Sequence, residues 1–186
     1  KGHQDIMRGS PTHSSQNLYR GLFSLEGALE LGDKAFDWDV TYTYGQTVGK
    51  STATVIHTKR FSKAIYATTA ADGTIVCEDA DPKCVPLNIL GNGAPSQEAI
   101  DYVSGPASAT TTIDQHYVSA NLSGELFELP AGAVGFAVGA DYRRESSPFE
   151  PDEVLKGGEV QSFAISSGVP IAGSFSTKEI YGEILV

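Results

Sequence analysis

Basic residues are scarce in this 186-residue chain: 13 Lys and Arg stand against 23 Asp and Glu, a formal net charge of −10. A surface of that sign repels phosphate backbones, and no basic patch interleaved with aromatics interrupts it. Nucleic acid is therefore not an expected partner. Long apolar runs are missing too: no stretch approaches the roughly 18 apolar residues of a membrane-spanning helix. Spanning strands stay possible, because their alternating residues escape hydropathy windows. A secretory signal is absent, and the chain opens on Lys1-Gly2-His3 rather than Met. This gives the expectation of a cut from a longer protein.

Catalytic and ligand-binding patterns are equally thin. The four histidines, His3, His13, His57 and His116, show no metal-ligand spacing and are expected in loops or on the surface. No Gly-x-Ser-x-Gly elbow exists, and nothing pairs a nucleophile with a base locally. The segment from Gly45 to Ser51, GQTVGKS, resembles a phosphate-binding loop but has three residues between its glycines where the loop needs four. Gly91-Asn92-Gly93 lacks the third glycine of a dinucleotide loop and reads as a turn. The expectation is no enzyme, no catalytic residue, no metal and no cofactor.

What the chain does carry is β-like composition, with Gly 20, Tyr 8 and Phe 8, and five segments with a period of two. In FDWDVTYTYG, Phe36, Trp38, Val40, Tyr42 and Tyr44 share one side, opposite Asp37, Asp39, Thr41 and Thr43. LYRGLFSLEGALEL places Tyr19, Phe23, Leu25, Leu29 and Leu31 together, opposite Arg20, Ser24, Glu26 and Glu30 along with Leu22 and Ala28. HYVSANLSGELFEL, AVGFAVGADYRRE and STKEIYGEILV alternate likewise. Strands are expected near 18–31, 36–49, 115–129, 133–146 and 175–186. Gly32-Asp33-Lys34 and Pro130-Ala131-Gly132 supply tight turns.

Long connections, 51–114 and 144–174, alternate with those tight turns. Within the first, a short helix is expected from Arg60 to Ala70, with Phe61, Ala64 and Ile65 on one side. A second helix is expected after Ser96 as N-cap, with Glu98 near its positive end and Ile100 and Val103 facing inward. Cys77 and Cys84 lie in a polar turn and can meet as a disulfide if the segment doubles back. That bond implies an oxidising compartment; the competing account is two free thiols in a cytosolic protein. Glu78, Asp79 and Asp81 between them match no calcium-loop spacing and read as solvated charge. Asn121-Leu122-Ser123 is a glycosylation sequon by pattern, set in mid-strand.

Two-faced strands joined alternately by short turns and long loops fit an antiparallel up-and-down membrane barrel. Tyr19, Phe36, Tyr44, Phe127 and Tyr142 at strand ends favour it, since rings gather at membrane interfaces. A soluble β-sandwich, a secreted binding or adhesion module with its apolar faces packed together, is the alternative.

Several phrases resemble the barrel of TonB-dependent outer-membrane receptors. GELFELPAGAVGFAVGADYRRESSPFEPD, Gly124 to Asp152, is similar to that family's strand, LPAG-type turn and strand ending in a Tyr-Arg-x-Glu run. CVPLNILGNGAPSQEAIDYV, Cys84 to Val103, resembles an extracellular loop of one branch, and FSTKEIYGEILV the strand that follows. The resemblance implies a large barrel, commonly of about 22 strands and filled by an N-terminal plug. It also implies energy-coupled uptake of a siderophore, vitamin B12 or carbohydrate across the outer membrane of a Gram-negative bacterium. The implied partners are outer-membrane lipid, the plug and remaining strands, an inner-membrane energy-coupling complex and a small-molecule substrate. No plug and no energy-coupling box is found in these residues. Five strands do not close a barrel of that size, and their open edges invite aggregation. In a barrel, Glu26, Asp37, Asp39, Glu179 and Glu183 line the hydrated lumen as structural charge.

Overall fold

The computed structural model describes Ile6, residues 11–91, residues 94–161, Ile165 and residues 168–186. Its elements are strands β1 (His13–Leu31) and β2 (Lys34–His57), helix α1 (Thr58–Ile65), and short strands β3 (Ala67–Thr69) and β4 (Ile75–Cys77). Helix α2 (Gln97–Val103) leads into β5 (Ser104–Leu129) and β6 (Gly132–Ser146). Then come β7 (Phe149–Pro151), α3 (Glu153–Lys156), β8 (Val160–Gln161) and β9 (Ser174–Leu185). Antiparallel sheet dominates. The main sheet runs β1-β2-β5-β6-β9, with β7 on β5 and β8 on β2, so β1 and β9 are its edges. Among the described residues no helix is long and apolar enough to cross a membrane.

The chain divides into two compact units. Unit 2 comprises Gln16–Val48, Thr111–Pro148 and Ala172–Val186. Its first hairpin turns on Gly32 and Asp33, with Gly32 at φ +65° in the first central position, where a Cβ would be strained. β5 and β6 pair from Asp114↔Ser146 to Leu129↔Gly132, broken only by a bulge between Glu125 and Phe127. β6 and β9 pair from Gly135↔Leu185 to Ser146↔Ser174. With side chains alternating across each strand, these registers put Phe136, Val138, Ala140, Ile180 and Ile184 on one face. Ala137, Asp141, Arg143, Thr177, Glu179 and Glu183 take the other.

Unit 1 comprises Lys1–Ser15, Gly49–Thr110 and Phe149–Ile171. Two buried clusters hold it together. Ile56, Ala64, Leu87, Ala99 and Val103 form one with Ile6, backed by Phe61, Ile65 and Cys84. Ala53, Val55, Ala107, Ala109, Leu155 and Ile165 form the other. Val55 and Ile56 are consecutive strand residues, so the clusters lie on opposite sides of β2. Each fully buried branched side chain here contributes roughly 1.5–3 kcal/mol.

That two-sided burial accounts for one departure from the sequence expectations, the length of β2. β2 continues to His57 and β5 begins at Ser104, so both ends of the expected 51–114 connection are strand. Residues covered on both faces show no alternation, and the period-two pattern misses them. The expected helix over Arg60 to Ala70 ends at Ile65; Tyr66 is extended and Ala67–Thr69 pairs with β4. The β-branched pair Thr68-Thr69 favours that outcome. The second helix forms as expected: Ser96 Oγ accepts the Ala99 amide at 3.2 Å, and Val103 is fully buried. Within the expected 144–174 connection the chain forms β7, α3 and β8.

Candidate functional site

The polar face of unit 2 gathers the groups best placed to meet a polar ligand. Asn121 Nδ2 on β5 donates to both carboxylate oxygens of Asp39 on β2, at 3.1 and 2.9 Å. From β9, the Tyr181 hydroxyl donates to Asn121 Oδ1. β6 lies between Asn121 and Tyr181, and its residue there is Gly139, paired with both. A Cβ on Gly139 would meet the Tyr181 ring and Asn121 Oδ1 well inside contact distance. The glycine is what lets the tyrosine lie across the strand.

Two shallow hollows flank this row. Glu26, Asp37, Asp39, Asn121 and Ser123 line one, a carboxylate-rich surface. Tyr117, Asp141, Arg143, Thr177 and Glu179 line the other, where Arg143 Nε lies 3.6 Å from Glu145. Glu183, opposite Ala137, lies further along β9 on the same face. Such a face can hydrogen-bond water or a polyhydroxylated or cationic solute. Among the described residues it pairs no nucleophile with a base.

The opposite face is apolar and uncovered. Phe23 is 62 % exposed, Val138 42 % and Ile180 89 %. Two more glycines admit aromatic rings here: Trp38 lies on Gly27, and Phe36 lies over Gly124 with its ring centroid 5.9 Å from that of Phe136. At one end of the apolar stretch the tyrosines acquire partners. Tyr42 Oη lies 2.8 Å from His116 Nδ1, and Asp114 Oδ1 accepts from Tyr44 Oη at 3.0 Å and Gln46 Nε2 at 2.9 Å.

In unit 1, Cys77 and Cys84 are bonded, with 6.2 Å between their Cα atoms. Asp79 and Asp81 inside that ring bind Lys63 of α1, at 3.0 and 3.6 Å. Tyr102 of α2 donates to Asp81 at 3.1 Å. The hydrogen bond to Asp79 raises the Lys63 ammonium above its usual value, and the Lys83 amide foremost lowers Asp81. Asp79 and Asp81 thus anchor a lysine and a tyrosine, while Glu78 is exposed.

The remaining motifs are dispersed. Gly45 to Ser51 is uninterrupted strand and cannot cradle a phosphate. Gly91 has φ +108°, and Asn92 and Gly93 lie outside the described residues, as does His3. His13, His57 and His116 lie on three strands, with His13 and His116 at the surface as expected and His57 half-buried. His57, which ends β2, lies where a Cβ on Gly105 would be. Asn121 of the sequon is engaged by Asp39 and Tyr181. No protein-family model matches the chain, and no curated protein matches it.

Proposed function

We propose that this chain is a segment of an outer-membrane active-transport receptor of the TonB-dependent type, serving energy-coupled uptake of a scarce nutrient in a Gram-negative bacterium. One observation carries the proposal: on the apolar face of unit 2 Trp38, Val138 and Ile180 are left exposed by the described residues, while the opposite face is acidic and hydrogen-bonded. Lipid on one side and a hydrated lumen on the other accommodate both faces of a barrel wall. The rival reading, a secreted soluble β-sandwich, needs a second apolar layer over Trp38, Val138 and Ile180, all of which stay exposed.

Dimensions support the same reading. The thirteen residues from Tyr19 to Leu31 rise about 40 Å along a strand. That is about 28 Å across a bilayer at a tilt near 45°, close to the roughly 30 Å hydrocarbon core. In unit 1, β2 is buried on both sides at Val55 and Ile56, which leaves no face there for lipid. The disulfide suits an oxidising space outside the cytoplasm. In this role the segment is not an enzyme and needs no cofactor. Its partners are lipid, the plug and further strands of a receptor, the energy-coupling complex and a small-molecule substrate.

Membrane fractionation tests the proposal. The protein should resist urea extraction from membranes and require detergent for release. Recovery as a soluble monomer without detergent would overturn it.

A further inference from the structure

We infer that the rim of the apolar face of unit 2 binds the phosphate group of an anionic lipid through Arg144 and Lys178. The inference rests on the membrane reading above and adds a binding site to it.

The registers define the rim. Arg144 stands opposite His116 on β5 and Ser176 on β9, and Tyr142 stands opposite Val118 and Lys178. Followed along this face, β6 reads Phe136, Val138, Ala140, Tyr142, Arg144, and β9 reads Ile184, Gly182, Ile180, Lys178. On β2 the run is Trp38, Val40, Tyr42, with Tyr42 reaching His116. On β6 the face passes from Ala140 through Tyr142 to Arg144, and on β9 it passes from Ile180 to Lys178, level with Tyr142. Hydrocarbon, interface and headgroup occur in that order in a bilayer leaflet.

Charge identifies the occupant. Arg144 and Lys178 are both exposed, and neither forms an ion pair among the described residues. Arg143, one residue away, faces the other side and lies against Glu145. Asp114, the acid near the rim, already accepts from Tyr44 and Gln46. Diagonal neighbours on paired strands lie about 7–8 Å apart, a span from which two long cationic side chains converge on one phosphate. Arg can present two parallel donors to it and Lys a point charge. Two exposed cations at the rim of the apolar face, without an ion pair among the described residues, complement an anionic headgroup at that level.

The test measures partitioning of the 186-residue chain into vesicles of phosphatidylcholine alone and of phosphatidylcholine mixed with phosphatidic acid. Each rim cation is expected to favour the anionic vesicles about fivefold. Arg144→Gln/Lys178→Gln should therefore lower the anionic-to-neutral ratio about 25-fold. Lys83→Gln/Lys156→Gln, which removes the same charge from unit 1, should leave that ratio nearly unchanged, and Arg144→Lys should retain the preference. Equal losses in the two double variants, or no loss in the rim variant, would overturn the headgroup site while leaving the membrane reading standing. Failure to partition into either kind of vesicle would overturn both.

Discussion

Tyr181 of β9 lies across Gly139 of β6, and the space where a Cβ would stand is filled by its ring. The tyrosine thereby spans a whole strand to reach Asn121, which in turn holds Asp39. Gly139→Ala must push the ring aside and break that row. Because the displaced atoms are the far end of an exposed side chain, the backbone can stay in place. The expected cost is about 1–2 kcal/mol, the sum of one hydrogen bond and some ring contact. Tyr181→Phe, which removes the hydroxyl alone, should cost about 0.5–1.5 kcal/mol. Denaturant midpoints for both variants check this, and Gly139→Ala should be the more damaging.

The disulfide ties the acidic ring of Asp79 and Asp81 to Lys63 and Tyr102, so its loss should loosen unit 1. For a ring this short the chain-entropy account gives about 2–3 kcal/mol. Cys77→Ser/Cys84→Ser should lower the stability of unit 1 by that amount. Protein unfolded without reductant should show no reactive thiol; two would contradict the bond.

Asp152 caps α3 by accepting the Leu155 amide at 3.0 Å, and also accepts the Ser108 amide at 2.6 Å and its hydroxyl at 3.2 Å. Burial pushes its carboxyl upward, but these donors and the Val154 amide outweigh burial and hold it below the usual carboxylate value of 3.8. A group whose folded value is depressed stabilises fully above its unfolded value, and that share is lost as pH falls through the folded one. Stability of unit 1 should thus decline in acid, below about pH 4. Asp152→Ala should cost about 1–3 kcal/mol at neutral pH and flatten the acid limb. Urea midpoints across the pH range measure both effects.

Val138 and Ala137 are neighbours on β6 that face opposite ways, Val138 with Leu122 and Gly182, Ala137 with Ser123 and Glu183. Under the membrane reading Val138→Asn places an amide in hydrocarbon and should weaken vesicle partitioning by about 1–2 kcal/mol. Ala137→Asn, on the wet face, should change it by less than about 0.5 kcal/mol. A sandwich would make Val138→Asn destabilising in plain buffer as well.

Alternation made unit 2 legible, because each of its strands has one apolar and one polar side. The same rule hid the unit 1 lengths of β2 and β5: Ala53, Val55 and Ile56, and likewise Ala107 and Ala109, pack on covered faces and break no pattern. Ser96 was legible as a cap from local chemistry alone, as was the Cys77–Cys84 pairing from short separation in a polar turn. The Gly139–Tyr181 and Gly27–Trp38 pairs were not, since they exist only once strand register is known. A glycine within one strand, set against an aromatic in a neighbouring one, is the signal that could have found them. Asp152 with Ser108 joins residues far apart in sequence and left no local trace.

Trp38 is the sole tryptophan, and it sits on the apolar face between Phe36 and Val40, so its fluorescence reports what covers that face. With vesicles whose acyl chains carry bromine, the membrane account predicts a blue-shifted emission that is strongly quenched. Emission equally intense with brominated and plain lipid, already blue-shifted before any vesicle is added, would place Trp38 inside protein and contradict it.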